Sequence, residues 1–204
     1  HTRYISVTGV QTCALPISTA AGTVVSSGAT LDLNGFTLGT AEALTLNGTG
    51  VGSTAGALTN SASGAATYSG LITLGSASSI VASNGALALS NSGTITGATF
   101  GLTLGGTNSN SSIASIIGTT TGTLTKSGTG TWSLTGANTY SGATTISGGG
   151  LTLTGAGTAT STAFTVALGG TLTLDNVATN VTNRVSDSNA LTLTGGELVF
   201  KIGR

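Results

Sequence analysis

The side chains that could carry chemistry are few and far apart. Five carboxylates are spread along the chain, at Asp32, Glu42, Asp175, Asp187 and Glu197. Asp175 and Glu197 are separated by 22 residues, an interval that fits one turn of a repetitive fold. Two carboxylates facing each other across neighbouring turns are what glycoside hydrolysis requires. Asp175 and Glu197 are therefore the one pair of carboxylates whose spacing would allow a catalytic dyad. The prediction for both side chains is nevertheless an outward, solvated position.

Catalysis by an activated nucleophile is not available to most of the chain. The only His is His1 and the only Cys is Cys13, so no Ser-His-Asp, Cys-His or His-bearing zinc arrangement can form from residue 19 onward. The Gly-rich stretch at Gly128 fails as a dinucleotide fingerprint, because position 133 is Ser and no helical pattern follows. No catalytic, cofactor-binding or metal-binding residue is predicted, and the chain is not expected to be an enzyme.

The composition indicates repetitive β-structure. Charged residues make up 5% of the chain, against roughly 25% in typical soluble proteins, and 34 of the 204 residues are Gly. Disorder goes with low hydrophobicity and high net charge, whereas this chain has a mean hydropathy of +0.39 and a net charge of zero. Five basic residues balanced by five acidic ones leave no basic surface for phosphate contacts, so nucleic acid is not expected as a partner.

The first 18 residues differ from the rest and hold the only Pro as well as the only His and Cys. Residues 7–17 resemble the translation of a common sequencing-library adapter. We therefore expect residues 1–18 to be a non-native segment and residues 19–204 to form the native part, without an internal domain boundary. A signal peptide is the alternative interpretation, but the apolar run at residues 14–17 is too short for one.

From residue 19 onward one short pattern recurs, in which two Leu residues flank a single residue and Gly or Asn lies close by. Such period-two alternation is typical of half-buried strands, with the paired residues on one face and the middle residue on the other. The clearest copies are residues 31–33, 44–46, 87–89, 102–104, 151–153, 172–174 and 191–193. Their irregular spacing favours a β-solenoid whose turns vary in length at the corners.

In a solenoid the Leu residues of stacked coils form an inward column while the residues between them face solvent. Roughly twenty residues per coil predicts about nine coils and a length of about 40–45 Å. A β-sandwich with hairpins at the Asn-Gly pairs of residues 34–35, 47–48 and 84–85 is the structural alternative. Runs of three or four residues favour the solenoid, because hairpin strands are usually longer.

Residues 124–153 show the pattern in its most regular form. Trp132 and Leu134, and further on Leu151 and Leu153, alternate with small polar residues, and Gly separates the runs. Four ordered motifs follow one another here: Lys-x-Gly-x-Gly-Thr-Trp-x-Leu at residues 126–134, Gly-Ala-Asn-Thr-Tyr-x-Gly at 136–142, Thr-Thr-Ile at 144–146 and Gly-Leu-Thr-Leu at 150–153.

These motifs resemble the passenger-associated repeat of bacterial autotransporters. The resemblance implies an all-β fold, a right-handed single-stranded parallel β-helix, of which residues 19–204 would be a fragment. In that family Trp and Leu alternate at the position of Trp132, which implies a packing residue rather than a platform for sugar stacking.

The function that the resemblance implies is a non-catalytic stalk of an autotransporter passenger. It would be exported by type V secretion and lie at the cell surface or outer membrane of a Gram-negative bacterium, or be secreted, and support adhesion and secretion. The expected partners are a C-terminal β-barrel translocator in the full-length protein and a host-surface or polysaccharide ligand. The alternative function is an adhesin or a polysaccharide-binding or polysaccharide-degrading β-helix module.

Overall fold

The computed structural model describes residues 3–4, 22–38 and 40–203, so the predicted non-native segment 1–18 lies outside the described residues except at Arg3–Tyr4. One short 3₁₀ turn, Val51–Ser53, stands among the strands. The strands in chain order are β1 (Arg3–Tyr4), β2 (Thr23–Val25), β3 (Leu31–Asp32), β4 (Leu44–Gly48), β5 (Leu58–Asn60), β6 (Ala66–Tyr68), β7 (Ile72–Ala82), β8 (Leu87–Leu89), β9 (Thr94–Ile95), β10 (Leu102–Gly106), β11 (Ser111–Ile113), β12 (Ile116–Ile117), β13 (Leu124–Lys126), β14 (Thr131–Leu134), β15 (Ala137–Asn138), β16 (Thr144–Ile146), β17 (Gly149–Leu153), β18 (Thr158–Ala159), β19 (Ala163–Ala167), β20 (Gly170–Asn176), β21 (Ala190–Thr194) and β22 (Glu197–Ile202).

The strands form three stacks, one on each face of the solenoid. Face A contains β1, β3, β5, the second half of β7, β10, β13, β16, β19 and β21. Face B contains β6, β8, β11, β14, β17, β20 and β22. Face C contains β2, β4, the first half of β7, and the short strands β9, β12, β15 and β18. A regular coil visits each face once, as β13, β14 and β15 do.

Every pairing between the named strands of the described residues is parallel. A sandwich of hairpins would pair consecutive strands antiparallel. The Asn-Gly pair at 34–35 instead forms a corner between two faces, with φ of 48° at Asn34 and 79° at Gly35. The predicted all-β parallel solenoid is confirmed, and the sandwich alternative is wrong.

The coils vary in length around the predicted twenty residues, and they are fewer than predicted. Thr131 pairs with Gly150 and Leu44 pairs with Ile72, which gives coils of 19 and 28 residues respectively. Long connections lie at residues 33–43, between β3 and β4, at residues 49–57, between β4 and β5, and at residues 177–189, between β20 and β21. Because these connections take up chain length without adding a coil, the described residues form about 8 turns, against the nine predicted for residues 19–204.

Inward Leu columns are confirmed for all but the last coil. In coils covered on both sides the Leu residues of the Leu-x-Leu copies are buried, as at Leu102, Leu104, Leu151 and Leu153, except for Leu174, which is partly buried and packs against the core. In the last coil Leu191 and Leu193 are 39% and 48% exposed, contrary to the prediction, because β21 ends its sheet and no described strand covers it.

The intervening residues of face A form an outward column of threonines, each in register with the next: Thr103, Thr125, Thr145, Thr165 and Thr192. Within the described residues no helix is long and apolar enough to cross a membrane.

Candidate functional site

The two carboxylates at solenoid spacing do not meet. In the pairing of β20 with β22, Asp175 lies opposite Lys201 and Glu197 lies opposite Thr171. The two carboxylates are therefore offset by four residues along the strands, roughly 13 Å at about 3.3 Å per residue. Glycosidase pairs are about 5–9.5 Å apart. Asp175 is half-buried and accepts a hydrogen bond from the Val177 amide, whereas Glu197 is exposed.

The polar connection after β20 divides its charged residues between solvent and interior. Asp187 is exposed. Arg184 is only 3% exposed, because its guanidinium donates hydrogen bonds to the carbonyls of Gly157 at 2.7 Å and Thr179 at 2.8 Å. Burial lowers the pKa of Arg184, and nearby Asp175 opposes that shift. In the part of the chain that the structure describes, no three His, Cys, Asp or Glu residues come close enough to hold a metal ion.

A further set of buried polar contacts lies in residues 124–153, here called the central repeat. The segment begins with one full coil, β13, β14 and β15, and continues into the next through β16 and β17. Five of its side chains that are larger or more polar than their column neighbours are buried: Lys126, Trp132, Asn138, Tyr140 and Thr144.

Lys126 occupies an inward position on face A. Its register partners are Leu104 in the preceding coil and Ile146 in the following coil, so an ammonium stands in a column of aliphatic side chains. The Nζ atom donates to three backbone carbonyls: Ser127 at 2.7 Å, Gly128 at 3.1 Å and Gly148 at 3.1 Å. These carbonyls belong to the face A to face B corners of two coils. Lys126 therefore ties those two corners together.

Desolvation is the cause of the altered acidity of Lys126. The side chain is fully buried, and burial lowers its pKa to about 8. Its contacts are neutral carbonyls rather than a carboxylate, so they only partly replace the water that the charged form loses.

Trp132 lies inward on face B between Ser111 and Leu151. It is fully buried, and its indole Nε1 donates to the Gly105 carbonyl at 2.9 Å. The small side chain of Ser111 beside it leaves volume for the indole, which is the size complementarity that close packing requires. The prediction that Trp132 is a packing residue is confirmed.

Asn138 joins three coils on face C. Its Oδ1 accepts from the Ile117 amide at 2.9 Å in the preceding coil, and its Nδ2 donates at 2.9 Å to Gly136 in its own coil and to Thr158 in the following coil. Face C has only two-residue strands here, so the amide supplies hydrogen bonds that a longer ladder would have supplied.

Tyr140 and Thr144 form a buried polar pair at the next corner. Their hydroxyl oxygens are 2.8 Å apart. Burial raises the pKa of Tyr140 above its ordinary value, and the hydrogen bond with Thr144 opposes the shift.

The glycines of the motif allow successive corners to approach closely. Gly128 has φ of 71°, in the region that disfavours side chains, and a Cβ there would lie 2.5 Å from the Gly106 carbonyl oxygen of the preceding coil. At Gly136 a Cβ would lie 2.6 Å from the Ser115 carbonyl oxygen. The glycines of the motif thus occur at the corners, where the backbones of two successive coils come close.

The corner lysine, the corner glycines and the inward Leu and Trp all lie within one segment that matches a known family. Residues 124–153 match the family model of the passenger-associated-transport-repeat. The predicted resemblance is confirmed over these residues. No curated protein and no solved structure matches the chain significantly.

Within the passenger-associated-transport-repeat, sequence reasoning missed the buried contacts of Lys126 and Asn138. A signal existed for Lys126, because the alternation in Leu-Thr-Lys places it on the same side as Leu124. No such signal existed for Asn138, whose strand is too short to show a period.

Proposed function

We propose that this chain is part of the exported, non-catalytic stalk of an autotransporter passenger. The observation that carries the proposal is the passenger-associated-transport-repeat at residues 124–153 set in register within a parallel β-solenoid. The family implies a secreted or cell-surface location and a C-terminal β-barrel translocator in the full-length protein.

A stalk must be rigid along its axis, and the contacts of the central repeat support that role. Lys126 and Asn138 each bond across coils, so neighbouring coils are fixed at both a corner and a face. Each coil cannot bury its apolar side alone but gains a partner when the next coil stacks on it.

The same property supports a role in export. A chain that emerges from a translocator can add one coil at a time to those already folded outside, because each new strand pairs in parallel with the previous one on the same face. Folding outside the cell then favours outward movement.

Surface display tests the proposal. The chain would be placed between a secretory signal peptide and an autotransporter translocator, produced in a Gram-negative host, and probed with protease added to intact cells. We expect a surface-exposed solenoid that resists limited proteolysis. Retention of the chain inside cells whose translocator has inserted would contradict the proposal.

The non-catalytic part of the proposal has its own assay. The folded chain would be incubated with pectin, chitin and glucans, and reducing ends would be measured over days. We expect no release above a boiled sample. Release by the folded chain would favour the alternative of a polysaccharide-degrading module.

A further inference from the structure

The connection between β4 and β5, residues 49–57, folds back over the outer side of face A. Its Val51 amide donates to Thr30 Oγ1 at 2.9 Å, and Thr30 Oγ1 donates to the Gly56 carbonyl at 2.9 Å. The turn needs glycine at Gly50 and Gly56, where φ is 82° and 88°. Residues 49–57 are here called the face A loop.

Between the face A loop and the strands beneath it lies a cavity of about 220 Å³. It is smaller than the roughly 300–1,000 Å³ of sites for drug-sized ligands, so it fits a group of a few heavy atoms. It is lined by Thr30, Asp32, Val51, Ala55, Thr59, Ser61 and Ser83.

A buried carboxylate forms one wall of this cavity. Asp32 lies in register with Thr59, on the outer side of the sheet, yet it is only 5% exposed. Its Oδ1 accepts from the amides of Asn34 at 2.9 Å and Ser61 at 3.1 Å, and its Oδ2 accepts from the Ser61 hydroxyl. The partners of Asp32 among the described residues are thus neutral amides and a hydroxyl. The carboxylate is therefore fixed in position by neutral donors, and none of these described partners carries a charge that balances it.

Most of the other polar groups that line the cavity are hydroxyls whose hydrogens already donate to acceptors outside the cavity or to Asp32. The hydroxyls of Thr30, Thr59 and Ser61 donate to the Gly56 carbonyl, the Val81 carbonyl and Asp32 respectively. What remains toward the cavity is oxygen lone pairs and one negative charge, beside the apolar side chains of Val51 and Ala55. A complementary ligand must bring hydrogen-bond donors, a positive charge and a short apolar body.

We propose that this cavity binds a primary ammonium group on a short aliphatic stem. The ammonium has three donors for Asp32 Oδ2 and the nearby hydroxyl oxygens, and the methylenes pack against Val51 and Ala55. Such a group is carried by the lysine side chain of a protein or by a small free alkylamine. The inference does not depend on the proposed stalk function, because it concerns other coils and other residues than the central repeat.

The probes are n-butylammonium for the free amine, Nα-acetyl-lysine methylamide for the protein-borne side chain, and 1-butanol as the uncharged control of similar shape. Each would be titrated into the full chain while the backbone amide shifts of Ser61 and Ala55 are followed by NMR. We expect saturable shifts with butylammonium and none with butanol. Saturation with the lysine derivative as well assigns the site to lysine side chains, and saturation with butylammonium alone assigns it to free amines.

The matched variants are Asp32→Asn and Asp187→Asn. The first keeps an oxygen acceptor for the Asn34 and Ser61 amides, so the fold is retained while the charge is lost. The second removes an exposed carboxylate elsewhere. We expect at least a tenfold loss of butylammonium affinity in Asp32→Asn and no change in Asp187→Asn.

A third variant separates the cavity from the charge. Ala55→Leu fills the cavity from the half-exposed loop without touching the carboxylate, and it should also abolish binding. The proposal is overturned if neither amine saturates the native chain, if butanol binds equally well, or if Asp32→Asn binds butylammonium within twofold of the native chain.

Discussion

At Lys126 the chain places an ammonium in a column of aliphatic side chains. Three backbone carbonyls accept its hydrogens, yet burial still favours the neutral amine and lowers the pKa to about 8. An unfolded chain restores the pKa to about 10.4. The stability of the solenoid is therefore linked to pH above neutrality through this one residue.

We predict that the free energy of unfolding rises with pH between 8 and 9.5. In this window the unfolded chain still holds the proton that folded Lys126 has released, so raising the pH favours the folded state, by up to about 2 kcal/mol. Lys126→Met should remove the rise. The measurement is urea unfolding at a series of pH values.

The window stops at pH 9.5 because Tyr68 and Tyr140 act in the opposite direction above it. Burial raises the pKa of both phenols, so the unfolded state loses those protons first and stability falls as the pH increases further. Lys201→Met, at an exposed lysine, is the matched control and should keep the native pH dependence. Equal slopes for the native chain and Lys126→Met would show that Lys126 does not titrate in this range.

At the scale of the strand, β14 separates its two sides completely. Leu134 is fully buried between Ile113 and Leu153 of the neighbouring coils, whereas Ser133 faces outward between Ser112 and Thr152. Two side chains that are adjacent in sequence thus lie in opposite environments, one in the core and the other toward solvent.

We predict that Leu134→Asp destabilises the chain by more than about 4 kcal/mol, because it leaves a cavity and buries an unpaired charge. Ser133→Asp, one residue away, should change stability by less than about 1 kcal/mol. Limited proteolysis of the folded chain measures the difference, and Leu151→Asp should behave like Leu134→Asp. If Ser133→Asp and Leu134→Asp resisted the protease equally well, the inward position of Leu134 would be contradicted.

The sequence predicted the strands better than the connections between them. Alternation such as that at residues 151–153 reports which side chains face inward, because period two is a property of the strand itself. The burial of Asp32 depends on the face A loop folding back over it, and the burial of Arg184 depends on carbonyls about 27 residues away. Such contacts join segments whose separation varies from coil to coil, so no local pattern reveals them.

At the scale of the whole molecule, each coil contacts chiefly the coils before and after it. Stability in such arrays is a sum of coil and interface terms, and coils with one neighbour open more easily than coils with two. The described solenoid has two-sided coils around β10 to β17 and a one-sided coil at β21 and β22.

We predict that amide exchange follows this difference. The Leu-Thr-Leu tripeptide occurs at residues 151–153, with coils on both sides, and again at residues 191–193, at the uncovered edge. Because the sequences are identical, their intrinsic exchange rates match, and the second copy should exchange at least tenfold faster. Hydrogen-exchange mass spectrometry resolves the two segments. Equal protection would indicate that the solenoid opens only as a single unit.

The threonine column on face A has an evolutionary consequence. From Thr103 to Thr192 each coil has a threonine at the same register position of face A. The upper and lower edges of one coil, which pair with the neighbouring coils, are therefore nearly interchangeable with those of the next. If one coil were duplicated or lost in the gene, every remaining coil would still pair with a coil of matching register. The length of the solenoid would change by about 4.8 Å. Recombination can therefore change the length of the solenoid in steps of one coil while the fold stays the same.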